Sequence, residues 1–132
     1  LASDFDQPNG LCFSADESQL FVNDTMRSHI RVFDVSADGS VSNSRVWAEV
    51  TGDREGVPDG MKIDSEGNVC TTGPGGIHYF ASDATSLGII HAPEGVANFT
   101  WGEDDLRSML ITASTSLYRV RVIVPGATAS QG

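Results

Sequence analysis

Two short polar side chains, Asn9 and Asp59, stand in the same local setting at two places in the chain. Each lies between a proline and a glycine, in Gln7-Pro8-Asn9-Gly10-Leu11 and Val57-Pro58-Asp59-Gly60-Met61, directly before an alternating, strand-like run. Amide and carboxylate oxygens are ligands that hard divalent cations prefer. The proline fixes φ before the polar residue, and the glycine after it permits close approach of the backbone. We therefore predict that Asn9 and Asp59 hold one metal ion.

A third, weaker copy of this setting is Val96-Ala97-Asn98-Phe99-Thr100, in which the polar residue is Asn98. The polar residues of the three copies are 50 and 39 residues apart, which is the spacing of blade-sized repeats. If each of them opens the innermost strand of a blade, the three side chains converge on one axis. Asn98 then either lines the central channel or caps a turn.

The elements that must position these residues are short alternating runs separated by turn signals. Strands are predicted near 11–13, 19–23, 29–35, 45–50, 61–64, 69–72, 77–80, 87–90, 99–101, 109–112 and 116–124. No segment shows convincing helical periodicity. The pattern predicts an all-β propeller of about three four-stranded blades, although the third repeat lacks a clear fourth strand. An immunoglobulin-like sandwich is disfavoured because it would not repeat its first strand three times.

The predicted domain organisation is a partial propeller over residues 1–124, with blades at about 5–50, 51–94 and 95–124, followed by a disordered tail over 125–132. Trp101, Ile111 and Leu117 lie on strand patterns that should pack between blades. Closed propellers need roughly four to eight blades. Three blades would therefore need either a missing N-terminal half or a second copy of the chain to close the ring. The first residue is Leu1 rather than Met, which favours the first of these.

Composition restricts the partners. A net charge of −10 argues against nucleic acid, whose phosphates would be repelled. No apolar run approaches the roughly 20 residues that span a bilayer, so a membrane partner is not expected. Cys12 and Cys70 belong to no CxxC motif and are expected to be buried small hydrophobes. The compartment stays open, with a cytoplasmic location favoured.

The chain resembles the gluconolactonase, senescence-marker-protein (regucalcin) and luciferin-regenerating-enzyme family, over residues 5 to about 121 and along the C-terminal half of that family's sequence. The motifs that carry the resemblance are Asp6-Gln7-Pro8-Asn9-Gly10-Leu11, Phe21-Val22-Asn23-Asp24-Thr25, Val57-Pro58-Asp59-Gly60-Met61-Lys62-Ile63-Asp64, Thr72-Gly73-Pro74-Gly75-Gly76 and Ile111-Thr112-Ala113-Ser114.

The resemblance implies a six-bladed propeller with one divalent cation at the mouth of its central channel, most often used to hydrolyse sugar lactones. The ion expected is Ca²⁺, with Zn²⁺, Mg²⁺ or Mn²⁺ as alternatives. The family's metal-binding asparagine falls on Asn9, and its metal-binding aspartate, also the candidate catalytic base, falls on Asp59. Asn98 is the expected substrate-binding residue. A glutamate ligand from the family's first blade has no counterpart in this chain.

Three functional hypotheses remain open at this point. The first is metal-dependent hydrolysis of a sugar lactone, in which the cation polarises the carbonyl and Asp59 accepts a proton from water. The second is a non-catalytic propeller module, suggested by the missing glutamate. The third is an enzyme like the family's relatives that cleave phosphotriesters. In each case Pro-Asn-Gly and Pro-Asp-Gly could also be ordinary turns.

Overall fold

The computed structural model describes residues 1–128 of the 132-residue chain. Within that range the structure is built of β-strands without any helix, and so contains no helix able to cross a membrane. The strands are β1 (Pro8–Phe13), β2 (Gln19–Asp24), β3 (His29–Val35), β4 (Val41–Glu49), β5 (Met61–Ile63), β6 (Val69–Gly73), β7 (Gly76–Phe80), β8 (Ser86–His91), β9 (Val96–Gly102), β10 (Ser108–Ala113) and β11 (Leu117–Arg121).

The strands form three separate antiparallel sheets, each a simple meander. The sheets have the orders β1-β2-β3-β4, β5-β6-β7-β8 and β9-β10-β11, and every neighbouring pair is joined by a short turn. Meanders of this kind are propeller blades. The prediction of an all-β partial propeller is confirmed. Within residues 1–128 the third blade has three strands, in line with the lack of a clear fourth strand in the third repeat.

The first and second blades pack face to face through a continuous apolar core. Trp47 is central to it, because its ring makes edge-on contacts with Phe21 of the first blade and Phe80 of the second. The centroid separations of 4.8 and 5.9 Å lie in the range favoured by aromatic pairs. The buried members of this core are Phe21, Ile30, Val32, Val50, Met61, Val69 and Phe80.

A second core joins the second and third blades, and strand β6 serves both. Successive side chains of a strand point to opposite faces, so Val69 belongs to the first core while Cys70 belongs to the second. All five residues of β6 are buried as a result. The buried members of the second core are Cys70, Ile77, Val96, Phe99, Met109 and Ile111.

Both cysteines are free and serve as apolar packing residues, as expected. Cys70 is fully buried in the second core, and Cys12 packs against the first. Burial raises the pKa of the Cys12 thiol to about 12 and raises the pKa of Cys70 as well. Neither thiol is therefore a reactive nucleophile at neutral pH.

One expectation for the third blade needs correction. Ile111 is buried and Trp101 packs partly against the second core, but Leu117 is 70% exposed. In β11 the inward-facing residues are Tyr118 and Val120 instead. The alternation was therefore assigned with the wrong phase, and a one-residue slip moves a side chain to the opposite face of a sheet.

The predicted disordered tail also differs from the structure over its first residues. Gly126 is buried against the ring of Trp101 and forms a bridge with Asp64. The carbonyl of Pro125 accepts a hydrogen bond from the backbone N–H of Ser65 at 3.0 Å. Residues 125–126 thus join the third blade to the second, whereas the prediction for 129–132 lies outside the described residues.

Candidate cation site

The three sequence repeats meet where the innermost strands of the blades begin. The backbone N–H of Gly60, next to Asp59, donates to the carbonyl of Ala97, next to Asn98, at 3.0 Å. Gly10, next to Asn9, lies directly against the carbonyl oxygen of Asp59. The segments carrying Asn9, Asp59 and Asn98 are therefore consecutive neighbours along one rim of the structure, as the repeat spacing predicted.

Two glycines allow this close approach. A Cβ at Gly10 would overlap the carbonyl oxygen of Asp59, and one at Gly60 would overlap the side-chain oxygen of Asn98. Any larger residue would push the neighbouring segments apart. Glycine after each polar residue is thus required by the distance between blades rather than by an unusual φ at these positions.

Behind the rim, the fully buried Asn23 of β2 joins the first two blades. Its Oδ1 accepts the backbone N–H of Gly10 at 2.9 Å, while its Nδ2 donates to the carbonyl of Asp59 at 2.8 Å. The same Nδ2 donates to Thr71 Oγ1 at 3.0 Å. One amide therefore fixes the residue after Asn9 to the backbone of Asp59.

Two threonines hold the segment around Asp59 from either side. Thr72 Oγ1 accepts the backbone N–H of Asp59 at 2.9 Å and donates to the carbonyl of Val57 at 3.2 Å. Thr25 Oγ1, from the first blade, donates to the carbonyl of Pro58 at 2.7 Å. The backbone on both sides of Asp59 is thus fixed by side chains from two blades.

The side-chain oxygens of Asn9 and Asp59 remain accessible. Asn9 is exposed, and its Nδ2 donates to Thr25 Oγ1 at 3.3 Å. Asp59 is half-buried, and no donor among residues 1–128 hydrogen-bonds its carboxylate. The chain therefore presents one carboxylate and one amide oxygen without internal partners, which is the donor chemistry that a hard cation takes.

Asn98 differs from Asn9 in which end of its side-chain amide is free: in Asn98 it is the NH₂ group. Its Oδ1 accepts the backbone N–H of Phe99 at 2.9 Å and lies against Gly60. The side chain itself is exposed. With the oxygen engaged, the amide N–H₂ is the group left to contact a ligand, so Asn98 is suited to donate to an oxygen atom.

The segment that leads into Asn9 is anchored by Asp24, whose side chain is fully buried. Its carboxylate accepts the backbone N–H groups of Asp6 at 2.8 Å and Gln7 at 3.1 Å. Burial by itself would raise the pKa of Asp24, but these bonds and a third from Arg27 N–H outweigh it and hold the pKa below its usual value. Asp24 therefore acts as a cap for this segment, with its carboxylate engaged by three backbone N–H groups.

The remaining ligands of a cation are not supplied by acidic or histidine side chains of this chain. Across residues 1–128, no three His, Cys, Asp or Glu side chains come together as a metal cluster. His78 is buried, with Nε2 2.8 Å from the carbonyl oxygen of Pro74, and desolvation lowers its pKa. Because Ca²⁺ takes six to eight oxygen ligands, a cation at Asn9 and Asp59 would need further ligands besides these two side chains.

Sequence reasoning did not identify Asn23, Thr25 and Thr72 as the residues that support the rim. A usable signal was present for Asn23, which has the same strand parity as the core residue Phe21 and so had to face inward. A buried asparagine needs hydrogen-bond partners. Its partners, two backbone groups of the neighbouring segments, could not be read from local sequence.

Comparisons with known proteins show which family the chain resembles. Residues 1–115 match the family described as the SMP-30/Gluconolactonase/LRE-like region. A gluconolactonase of Zymomonas mobilis is 34% identical over 124 residues, covering 87% of this chain and 35% of that protein. The chain therefore spans about a third of the length of that relative.

Solved structures show the same arrangement of blades. A gluconolactonase of Xanthomonas campestris superposes with a TM-score of 0.78 at 31% identity, covering 93% of this chain and 39% of that one. A calcium-binding regucalcin of Agrobacterium tumefaciens gives a TM-score of 0.81 at 19% identity, covering 94% of this chain and 48% of that one, and supports the fold alone. The chain accordingly belongs to the SMP-30/gluconolactonase/LRE-like family and forms part of a β-propeller of that kind.

Proposed function

We propose that this chain supplies two ligands, Asn9 and Asp59, of a divalent-cation site in a protein that hydrolyses a sugar lactone. The proposal is supported by the contacts that make the segments carrying Asn9, Asp59 and Asn98 consecutive neighbours. It is also supported by the Asp59 carboxylate, which accepts no hydrogen bond from residues 1–128. The gluconolactonases among its relatives supply the substrate class.

Each residue has a role that follows from its contacts. When bound, a divalent cation would polarise the lactone carbonyl towards attack. The Asp59 carboxylate accepts a proton from the attacking water, and the lack of a competing donor within residues 1–128 supports this role. Asn98 donates its free amide N–H to an oxygen of the substrate. Asn9 contributes its amide oxygen to the cation.

Ca²⁺ is the cation proposed first, because carboxylate and amide oxygens are hard ligands and neither cysteine nor histidine joins the set. The regucalcin that shares this fold is a calcium-binding protein, but at 19% identity it does not fix the ion for this chain. With a single carboxylate contributed, binding should be weak, because affinity follows the charge of the ligand set.

The propeller must also be completed by other residues. Leu11, Phe13 and Val46 are about half exposed on the outer face of the first blade, and Leu110 and Leu117 are exposed on the outer face of the third. Apolar blade faces are normally covered by a neighbouring blade. We propose that the part of the protein corresponding to the unspanned length of its relatives covers them. A second copy of this chain is the alternative.

The function is tested by hydrolysis of glucono-1,5-lactone, followed by acid release at constant pH, with and without a chelator. We expect Ca²⁺-dependent turnover that falls to the spontaneous rate in the chelator and in Asp59→Asn. Asp53→Asn is the matched control, since Asp53 is exposed in the loop before β5. Chelator-insensitive turnover would refute the cation mechanism. Cation binding without turnover would indicate a non-catalytic module, and turnover of paraoxon alone would indicate a phosphotriesterase.

Light scattering distinguishes the two ways of completing the ring. A monodisperse dimer of the 132-residue chain would favour the second copy. Aggregation that is relieved only by the rest of the protein would favour the fragment, which is the result we expect.

A further inference from the structure

The orientation of the Asn9 amide decides whether it can serve as a cation ligand. An asparagine presents an acceptor oxygen on one side and a donor NH₂ group on the other, and only the oxygen binds a cation. In the structure Asn9 turns its Nδ2 towards Thr25 Oγ1, at 3.3 Å. Its oxygen is then the atom without a partner among residues 1–128.

The state of the Thr25 hydroxyl fixes this orientation. A hydroxyl has a single proton to donate, and Thr25 Oγ1 lies 2.7 Å from the carbonyl oxygen of Pro58, which can only accept. The proton is therefore committed to Pro58, and the Thr25 oxygen can only accept from Asn9. A flipped Asn9 amide would place two acceptor oxygens against each other and lose the hydrogen bond.

Thr25 also connects the two segments that carry the proposed ligands. Its backbone N–H donates to the carbonyl of Gln7 at 2.9 Å, two residues before Asn9. Its hydroxyl holds Pro58, the residue before Asp59. Thr25 thus connects the two segments through its backbone N–H and its hydroxyl, and the flip of the amide depends on the hydroxyl.

We propose that Thr25 is a positioning residue of the cation site: its hydroxyl, committed to the Pro58 carbonyl, holds the Asn9 amide with its oxygen free to bind the cation. This inference rests on the proposed function, because it presupposes a cation at Asn9 and Asp59.

Three variants of the intact protein test the role of the hydroxyl by calorimetric titration with Ca²⁺. Thr25→Val keeps the shape and removes the hydroxyl, and it should weaken Ca²⁺ binding by about 10–100-fold, as loss of a residue supporting a metal ligand does. Thr25→Ser keeps the hydroxyl and should restore binding to within a few-fold of the wild type. Thr85→Val is the matched control, at the opposite end of the second blade, and should leave binding unchanged.

A double-mutant cycle separates positioning from a general structural role. In Asn9→Asp the carboxylate presents an oxygen in either orientation, so its flip no longer matters. Adding Thr25→Val to Asn9→Asp should therefore weaken Ca²⁺ binding clearly less than adding it to the wild type. An equal loss in both backgrounds would overturn the proposal, because it would mean that Thr25 only supports the fold.

Two further outcomes separate the proposed role of Thr25 from the proposed cation site. If the wild type binds Ca²⁺ and Thr25→Val binds it equally well, the role of Thr25 is refuted while the cation site stands. If the wild type binds no divalent cation, both fall. Should Thr25→Val fail to fold, the side-chain NH₂ protons of Asn9 in the cation-free wild type provide the readout by NMR. They should exchange more slowly than those of the exposed Asn98, and equal exchange would overturn the proposal.

Discussion

Replacing Asn23 by alanine should destabilise the protein, because it removes the side chain that joins the first two blades. Asn23 is fully buried between the first two blades. Its amide satisfies the backbone N–H of Gly10 and the backbone carbonyl of Asp59, at 2.9 and 2.8 Å. Alanine would leave both backbone groups without a partner in a site closed to water.

The magnitude follows from those two groups. A buried donor or acceptor that loses its partner costs about 1–3 kcal/mol, so Asn23→Ala should lower the free energy of unfolding by about 2–6 kcal/mol. The third partner, Thr71 Oγ1, contributes little to this sum because it keeps its own bond to the carbonyl of Thr72. Small domains have only about 5–15 kcal/mol of stability in total. The loss would therefore be a large fraction of the whole.

The assay is equilibrium unfolding in urea, with the midpoint read at a constant m-value. Ser42→Ala is the control, since Ser42 is an exposed residue of β4. It should cost less than about 0.5 kcal/mol, as surface changes do. A loss below about 1 kcal/mol for Asn23→Ala would refute the reasoning that these bonds join the blades.

The stability of Asn23→Asp should depend on pH, which tests the same hydrogen bonds of Asn23 in a second way. The new carboxylate would face the carbonyl of Asp59, and burial next to an acceptor raises the pKa of an acid in the folded state. The folded protein would then bind a proton more readily than the unfolded chain. The stability deficit of Asn23→Asp should therefore shrink as the pH falls from 7 towards 4.5. A deficit that stays constant over this range would contradict the predicted surroundings of Asn23.

Other predictions concern packing and the anchoring of the first strand. Trp101→Ala should cost about 3 kcal/mol in urea unfolding, at the lower end of the range for large aromatics, because Trp101 is partly exposed and its Nε1 has no partner among residues 1–128. The lowered pKa of Asp24 means that its stabilising contribution is present above its unfolded pKa of about 3.8 and is lost as the pH falls through the lower folded value. Asp24→Asn should flatten the acid limb of the pH–stability curve, and an unchanged limb would contradict this.

The repeat and most of the strands could be predicted from the sequence because each depends on local patterns. Alternation of apolar and polar residues located nearly every strand, and the spacing of Asn9, Asp59 and Asn98 placed them on adjacent innermost segments. Each signal is carried by a few consecutive residues and repeats in register. The sequence signal of each repeat is weak alone, but the agreement of the three repeats made the prediction possible.

The errors arise where long-range pairing overrides local pattern. Strand β4 begins at Val41, earlier than the predicted 45–50, because its polar and exposed residues pair with β3 without contributing to the core. The phase of β11 was ambiguous, since Leu117 and Tyr118 are both plausible inward residues. Gly126 lies in a stretch of small and polar residues that resembles a disordered tail, yet it contacts Trp101 and forms a bridge with Asp64. Both partners of Gly126 lie far from it in the sequence.

The support of the rim was beyond sequence reasoning for the same reason. Asn23 and Thr25 act on Asp59 and Pro58, which lie more than 30 residues away. Their side chains could be predicted to be inward or near a turn, but not to be bonded to the backbone of the next blade. Only the packing of the first blade against the second reveals that pairing.

Titration of the protein with Ca²⁺, followed by calorimetry, tests most directly the claim that Asn9 and Asp59 hold a divalent cation. The account predicts saturable binding of one ion by the wild type and none by Asp59→Ala, with the β-sheet circular dichroism of the two unchanged. Asp53→Ala, which removes an exposed carboxylate from the loop before β5, should bind as the wild type does. Zn²⁺ in place of Ca²⁺ checks the preference for a hard cation. An Asp59→Ala protein that binds Ca²⁺ with unchanged affinity would contradict the account.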